Sequence, residues 1–487
     1  MILLICIVCM KGLAKLAAII AFGVVVSFLP VPDGLSRDSW VFFSLFLSVV
    51  IGLITEPFPS AFIGILGVVT ACLLKIGPAP VSSGDLTSDQ VLKWGLSGFS
   101  NSTVWLIFIA FMFALGYEKS GLGRRIALIL VKGMGSRTLG LGYAITLADL
   151  ILAPFMPSNT ARSGGTIFPI VKNIPVLYGS TPEENPRKIG SYITWVALAS
   201  TCVTSSMFYT ALAPNILAVS LLGDTGIVPP TWEQWAFYFL PVGFILIVLV
   251  PLLTYLVYPP SLKISKSIPE WAGNELRKMG GLSRNEIVMT LLACLALLLW
   301  IFSRLLGINP TVSALLILCL MVLFKIIAWN DIITNKAAWN IFLWFGALVT
   351  LADGLNNVGF LSWFADRITS AISVFSPNII IVFLLLAFYL IHYLFASTTA
   401  HVAALLTLFL LTAKGIPGIN FPLFTYLLLF SVGLMGILTP YATGPSPIWY
   451  GFGFIPSRTF WMLGAFFGLI FFIVLVLVGI PWINLWL

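Results

Sequence analysis

Apolar runs long enough to cross a bilayer follow one another along almost the whole chain, and polar residues break into them at only a few places. A bilayer-crossing helix takes about 20 mostly apolar residues, and windows of that kind recur from 13–30 through to 460–487. With 60% of its residues hydrophobic and 9% charged, the chain cannot be a water-soluble globular domain. The runs are continuous rather than alternating, which argues against an outer-membrane barrel. The fold class is therefore an all-α polytopic membrane protein, with about 11 transmembrane helices.

The net charge of +8 is topological and not a nucleic-acid footprint, because the basic residues gather in particular loops between spans. Segment 118–137 sets Lys119, Arg124, Arg125, Lys132 and Arg137 against Glu118 and alternates them with Leu, Ile and Val, which reads as an amphipathic helix at a cytosolic interface. Segment 261–284 is the only substantial polar linker and is also basic, so it should join two halves on the cytosolic side. Residues 1–10 are apolar and precede Lys11 and Lys15, the reverse of a secretory signal; 1–36 is expected to be a retained N-terminal transmembrane helix. The six cysteines lie in apolar segments without metal-ligand spacing. His392 and His401 have no carboxylate cluster beside them, and no nucleophile–base pair is evident. No metal, cofactor or enzymatic activity is expected.

The informative residues are the interruptions. Apolar segment 139–170 is broken by Pro154, Pro157, Gly164 and Gly165, with Ser158-Asn159-Thr160 between them. A straight helix tolerates this badly, whereas a re-entrant hairpin buries its non-helical tip inside the protein. Segment 378–413 carries the echo, Ser397-Thr398-Thr399. Segment 191–221 is broken by Thr204-Ser205-Ser206 and again around Thr210, Pro214 and Asn215; segment 439–456 is broken around Thr443 and Pro445. Discontinuous helices of this kind offer half-helix ends to ligands at the midplane. Arg162 stands four positions after Ser158, and His401 four after Ser397. Polar groups at membrane depth are costly and usually mark a substrate path, so the two stretches read as halves of one anion site.

The halves also resemble each other in order. Trp105-Leu106-Ile107-Phe108 pairs with Trp339-Asn340-Ile341-Phe342, Ser158-Asn159-Thr160 with Ser397-Thr398-Thr399, and 209–214 with 441–445. The basic segment 118–137 corresponds to 353–376, which has only Arg367 against Asp353 and Asp366. A connection that is cytosolic in one copy is therefore external in the other. The expected repeats are 37–260, with a hairpin at about 139–170, and 285–487, with a hairpin at about 378–413. Inverted repeats with broken helices are typical of secondary transporters.

At the two triplets the chain resembles the divalent anion/sodium symporter family. Ser158-Asn159-Thr160-Ala161-Arg162-Ser163-Gly164-Gly165 is similar to the exchanger branch, which holds plastid 2-oxoglutarate/malate translocators and bacterial citrate/succinate and tartrate/succinate antiporters. Thr55-Glu56-Pro57-Phe58-Pro59, Ala213-Pro214-Asn215 and Thr443-Gly444-Pro445-Ser446-Pro447 extend the resemblance from about Arg37 to the C-terminus. It implies a homodimer in the bilayer, in which a transport domain carries substrate past a scaffold by an elevator motion. It implies that the Ser-Asn-Thr motifs, here Ser158, Asn159, Thr160 and Ser397, Thr398, Thr399, bind substrate carboxylates; Thr210, Pro214, Asn215, Thr443 and Pro445 at the broken helices are expected to bind substrate with them. The second triplet departs from the family's Ser-Asn-Thr by lacking asparagine, which puts sodium coupling in doubt.

Two carboxylates entering a low-dielectric cavity cost several kcal/mol each unless charge is offset. Symporters supply sodium; here Arg162 and His401 are expected to supply fixed or proton-borne charge. The alternatives are, for Arg162, a salt bridge to Asp149 or snorkelling towards the cytosol and, for His401, a packed neutral ring. The resulting expectation is sodium-independent exchange of di- or tricarboxylates such as malate, succinate and 2-oxoglutarate, in a bacterial inner membrane rather than a plastid envelope. A sodium-coupled symporter on the same fold is the alternative.

Overall fold

The computed structural model describes residues 2–55, 57–78, 86–222, 227–372 and 375–487; Glu56 of the Thr55–Pro59 break lies outside them. The described residues are helical, apart from short turns and one isolated bridge between Arg137 and Ile264. Among the described residues seven helices have the length and apolar composition of a full crossing, including Ser102–Ser120, Trp232–Val257, Lys336–Asn357 and Ser457–Trp486. Their outer faces expose Leu, Ile, Val and Phe, as suits a lipid solvent in which apolar side chains need no cover.

Helix ends carry the signals that the sequence supplies. Asn101, Thr231, Ser283 and Asn309 cap their helices by accepting a backbone N–H of the first turn, which satisfies donors the helix leaves unpaired. Gly121, at φ 78°, ends Ser102–Ser120 in the left-handed conformation that glycine adopts without a Cβ penalty. The chain then turns into Leu122–Met134, the basic amphipathic helix, whose buried face is Leu122, Gly123, Arg125, Ala127, Leu128 and Val131.

Leu122–Met134 packs on Ser267–Met279 of the 261–284 linker. Arg125 bridges to Glu286 and donates to the carbonyls of Gly280 and Gly281 at 3.0 Å each. Arg124 reaches Glu275 at 2.8 Å, and Lys119 reaches Asp331 at 2.6 Å. These contacts tie five helices in two groups: Leu122–Met134 to Ser267–Met279 and Arg284–Ile301, and Ser102–Ser120 to Trp329–Thr334.

The same order of elements occurs twice. A long helix (Ser102–Ser120; Lys336–Asn357) leads to a short lateral helix (Leu122–Met134; Phe360–Ile372), then a pair of arms (Thr138–Leu152 and Thr160–Ile167; Pro377–Ile391 and Thr398–Lys414). A broken helix follows (Gly190–Met207 and Ala213–Ser220; Phe421–Leu434 and Ser446–Gly451), and a long closing helix (Trp232–Val257; Ser457–Val474) ends each set.

The two long helices cross reciprocally. Trp105 packs on Phe342 with ring centroids 5.0 Å apart, and Phe108 packs on Trp339 at 4.6 Å. Rising number on one helix meets falling number on the other, so the two run antiparallel where they cross. Lys336–Asn357 approaches Ser60–Leu74 and the 97–100 turn closely through small residues. Gly64 lies against Ala347, and a Cβ on Gly98 would overlap the Gly346 carbonyl.

One reading of the chain needs correction. The helix Gly190–Met207 is continuous through Thr204-Ser205-Ser206, and the break falls at 208–212. The three hydroxyls do not interrupt the helix because each finds a partner across it: Thr204 the Asp149 carboxylate, Ser205 the Arg162 guanidinium and Ser206 the Phe430 carbonyl.

Candidate carboxylate site

Both serine-led triplets occupy the same local position. At the first tip the helix stops after Ala153–Phe155, and the chain turns through Met156 and Pro157 before resuming as the arm beginning at Asn159. Ser158 Oγ accepts from Ala161 N at 3.2 Å. At the second tip Ser397 Oγ accepts from Ala400 N at 3.4 Å, capping Thr398–Lys414. Each serine therefore holds the first turn of a returning arm, and the next two residues of each triplet lie in that turn. A helix N-terminus presents unpaired N–H groups and the positive end of the peptide dipole, which together favour a bound anion. Thr160–Ile167 is wound as a π-helix, a form that is uncommon and frequent at functional sites.

The tips meet the broken helices. Asn159, 6% exposed, donates its side-chain amide to Thr443 Oγ1 at 2.8 Å. Gly444 lies so close to Thr160 that a Cβ there would overlap Thr160 Oγ1. Ala213 N donates to the Pro157 carbonyl at 2.8 Å, and Thr210 donates to Pro154 O at 2.6 Å while accepting from Trp232 Nε1 at 3.1 Å. Ala213–Ser220 packs in turn on the second returning arm, and His392 of the second hairpin bonds the Ala442 carbonyl at 3.0 Å. Ser158, Thr160, Ser397 and Thr399 remain half-buried, while Gly165, Gly444 and Pro447 are exposed.

The other sequence-derived site residues hold structural positions around these tips. Asn215 is fully buried and donates to Ser205 O at 2.7 Å, leaving its Oδ1 without a partner. Pro214 and Pro445 are buried where the broken helices restart. Thr398 is 5% exposed.

Arg162 differs from the expectation of a charge turned toward substrate. It is fully buried, and its Nε lies 3.0 Å from Asp149 Oδ2 on the entering arm. Nη1 donates to Met156 O at 2.6 Å and Ala211 O at 2.7 Å; Nη2 faces the hydroxyls of Ser205, Thr204 and Thr201 at 3.1, 3.3 and 3.4 Å. Its donors are thus spent on the hairpin and the first broken helix, and Asp149 balances its charge. His401 is also fully buried, but neither of its ring nitrogens has a partner.

Ser163 and Trp449 are site elements that sequence reasoning missed. The indole Nε1 of Trp449 donates to Ser163 Oγ at 2.9 Å, a second bolt between the first hairpin and the second broken helix. Ser163 belongs to the singled-out octapeptide, but a tryptophan in an apolar run gives no signal of its own. A cavity of about 510 Å³ lies beside this hairpin, between Tyr117, Glu118 and Arg124 on one wall and Gly165, Thr166 and Lys172 on the other. Another of about 430 Å³ lies between Thr210, Trp232, Asn101 and Arg304. Among the described residues no cluster of three metal-ligating side chains occurs.

Residues 10–487 match the model of the sodium:sulfate symporter transmembrane region. The chain belongs to that family. Within it, the chain is 46% identical over 480 residues to the L-tartrate/succinate antiporters of Escherichia coli K12 and of Shigella flexneri, covering 97% of each chain. The corresponding antiporter of E. coli strain UTI89 is 46% identical over 483 residues. Among solved structures, the crystal structure of the Alcanivorax borkumensis YdaH transporter superposes with a TM-score of 0.56 at 14% identity, covering 87% of this chain and 98% of that one. At that identity the likeness concerns the fold. The sodium:sulfate symporter assignment agrees with the multi-pass helical architecture described above.

Proposed function

We propose that this member of the sodium:sulfate symporter family exchanges dicarboxylates across a bacterial inner membrane without sodium, with tricarboxylates as a further substrate class. The observation that carries this reading is the matched pair of serine-capped tips, Ser158-Asn159-Thr160 and Ser397-Thr398-Thr399. Two helix N-termini with hydroxyls and one amide suit an anion with a carboxylate at each end. Near half identity along the full length to L-tartrate/succinate antiporters supports the exchange of four-carbon dicarboxylates in particular. Such a carrier needs no bond-making chemistry and is not an enzyme.

In this reading Ser158, Asn159 and Thr160 hold one carboxylate and Ser397, Thr398 and Thr399 the other. Thr443 and Thr210, with Pro214, Asn215 and Pro445, set the breaks against which the tips rest. Arg162 positions the first tip through Asp149, and His401 supplies the charge that compensates the substrate. The reciprocal Trp105–Phe342 and Phe108–Trp339 packing supports repeats 37–260 and 285–487 of opposite orientation, joined by a cytosolic 261–284 segment. The hairpins and broken helices would move as one transport domain in an elevator motion against the scaffold of a homodimer.

The family description names sodium, which favours a sodium-coupled symporter as the second reading. Thr398 stands where the first triplet has Asn159, so one amide carbonyl that could ligate the ion is missing at the second tip. Counterflow of labelled succinate in proteoliposomes, preloaded or empty and with or without sodium, separates the two readings.

A further inference from the structure

Three buried ring nitrogens lie together without partners behind the second tip: His392 Nδ1, His401 Nδ1 and His401 Nε2. The rings are fully buried and 5.1 Å apart between centroids. Phe388 and Phe395 pack edgewise on His401 at 4.4 and 5.0 Å. Buried polar atoms are nearly always hydrogen-bonded, so three orphans in one cluster point to something the site takes up. His392 Nε2 faces the Ala442 carbonyl at 3.0 Å. A carbonyl only accepts, so Nε2 carries the proton and Nδ1 is left as a bare lone pair. His401 likewise keeps one lone pair with no donor.

The charges around the pair do not neutralise an imidazolium. The hairpin 377–414 contains no carboxylate. Its own charged group is Lys414, and on the elements packed against it the charged groups are Asp366 and Arg367, Arg37 and Asp38, and Arg458; all six are exposed. The neighbouring phenols are Tyr389, Tyr393, Tyr426 and Tyr441. Tyr389 donates to the carbonyls of Leu434 and Gly468, and Tyr441 to that of Tyr393. The buried carboxylate Asp149 is already paired with Arg162. An imidazolium at this place therefore lacks a buried counter-charge until an anion arrives, and a dicarboxylate at the tips lacks a free cation until a proton does.

We propose that His392 and His401 form a proton-binding site that takes up a proton when a dicarboxylate binds at the two tips. The inference rests on the dicarboxylate-exchange reading. The proton comes from solvent and adds to an unshared ring lone pair; no other bond forms or breaks, and the site gains one positive charge. The pair is placed to sense both tips. His401 lies in the first turn after Ser397-Thr398-Thr399, and Ala442, which holds His392, precedes Thr443, which holds Asn159. Because the loaded form carries the extra proton, affinity rises as pH falls, by up to about tenfold per pH unit.

The test is proton uptake by the purified full-length protein in nanodiscs, in weakly buffered solution with a pH-reporting dye, on addition of succinate. Succinate binding is measured in the same sample by calorimetry. The expected result is uptake of about one proton per succinate bound near neutral pH. His392→Gln and His401→Gln should each lose that uptake and flatten the pH dependence of binding while weakening it. Succinate binding without proton uptake overturns the inference and leaves the exchange reading standing. Absence of binding by this protein to succinate, tartrate, malate, 2-oxoglutarate and citrate alike overturns both. Uptake that persists unchanged in both variants overturns the assignment to these residues; should a variant fail to fold, the wild-type proton count decides.

Discussion

The side-chain amide of Asn159 donates to the hydroxyl of Thr443 at 2.8 Å, across 284 positions of sequence. This bond and the Trp449–Ser163 bond at 2.9 Å tie the first hairpin to the second broken helix. On the proposed reading, a carboxylate at the first tip would rest against residues of both proposed repeats.

Asn159→Ala and Thr399→Ala should each cut transport severely while leaving expression intact. Losing a hydrogen bond to a charged group costs about 1.5–3 kcal/mol, or roughly one to two decades in affinity. Thr443→Ala should lose less than Asn159→Ala. The double variant Asn159→Ala/Thr443→Ala should lose less than the sum, since the two share one bond. Uptake kinetics that stay normal in Asn159→Ala would exclude the tips as the site.

Gly444→Ala should impair transport strongly, because a Cβ there occupies the place of Thr160 Oγ1. Gly451→Ala, seven positions on and with nothing within 4 Å of the added carbon, should be tolerated. Equal effects of the two substitutions would show that the Thr160 contact does not matter.

Arg162→Ala should nearly eliminate exchange and also lower thermal stability, because it leaves Asp149 buried and uncompensated. Breaking a buried ion pair from one side costs about 3–5 kcal/mol. Arg162→Met/Asp149→Leu should regain much of the stability, measured as the melting temperature in detergent, but not the exchange, since the contacts to Met156, Ala211 and Ser205 stay lost. Restored exchange in the double variant would mean that Arg162 serves only to neutralise Asp149.

Cysteines introduced singly at Ser267 and Ser376, both exposed, should be labelled from opposite sides of intact cells, Ser376→Cys from outside. Labelling of both from the same side would rule out repeats of opposite orientation.

The fold was legible because apolar length and Pro/Gly breaks are local properties. The breaks at Ser158 and Ser397 were legible for the same reason, as serine-led triplets inside apolar sequence stand out. What stayed hidden depends on which arms fold back on each other. Arg162 and Asp149 are thirteen residues apart, and a sequence cannot say whether an arginine at membrane depth turns to a ligand or back to the arm before it. Thr204-Ser205-Ser206 looked like a helix break because hydroxyls are equally suited to ending a helix and to pairing across one. The meeting of His392 and His401 follows from closure of the second hairpin, and each alone in an apolar run gives no hint of the other.

Labelled-succinate flux into proteoliposomes tests the central claim most directly. The account predicts rapid uptake when the vesicles are preloaded with succinate or L-tartrate, almost none when they are empty, and the same rates with or without sodium. Uptake into empty vesicles that rises with an imposed inward sodium gradient would contradict it and make the protein a sodium-coupled symporter.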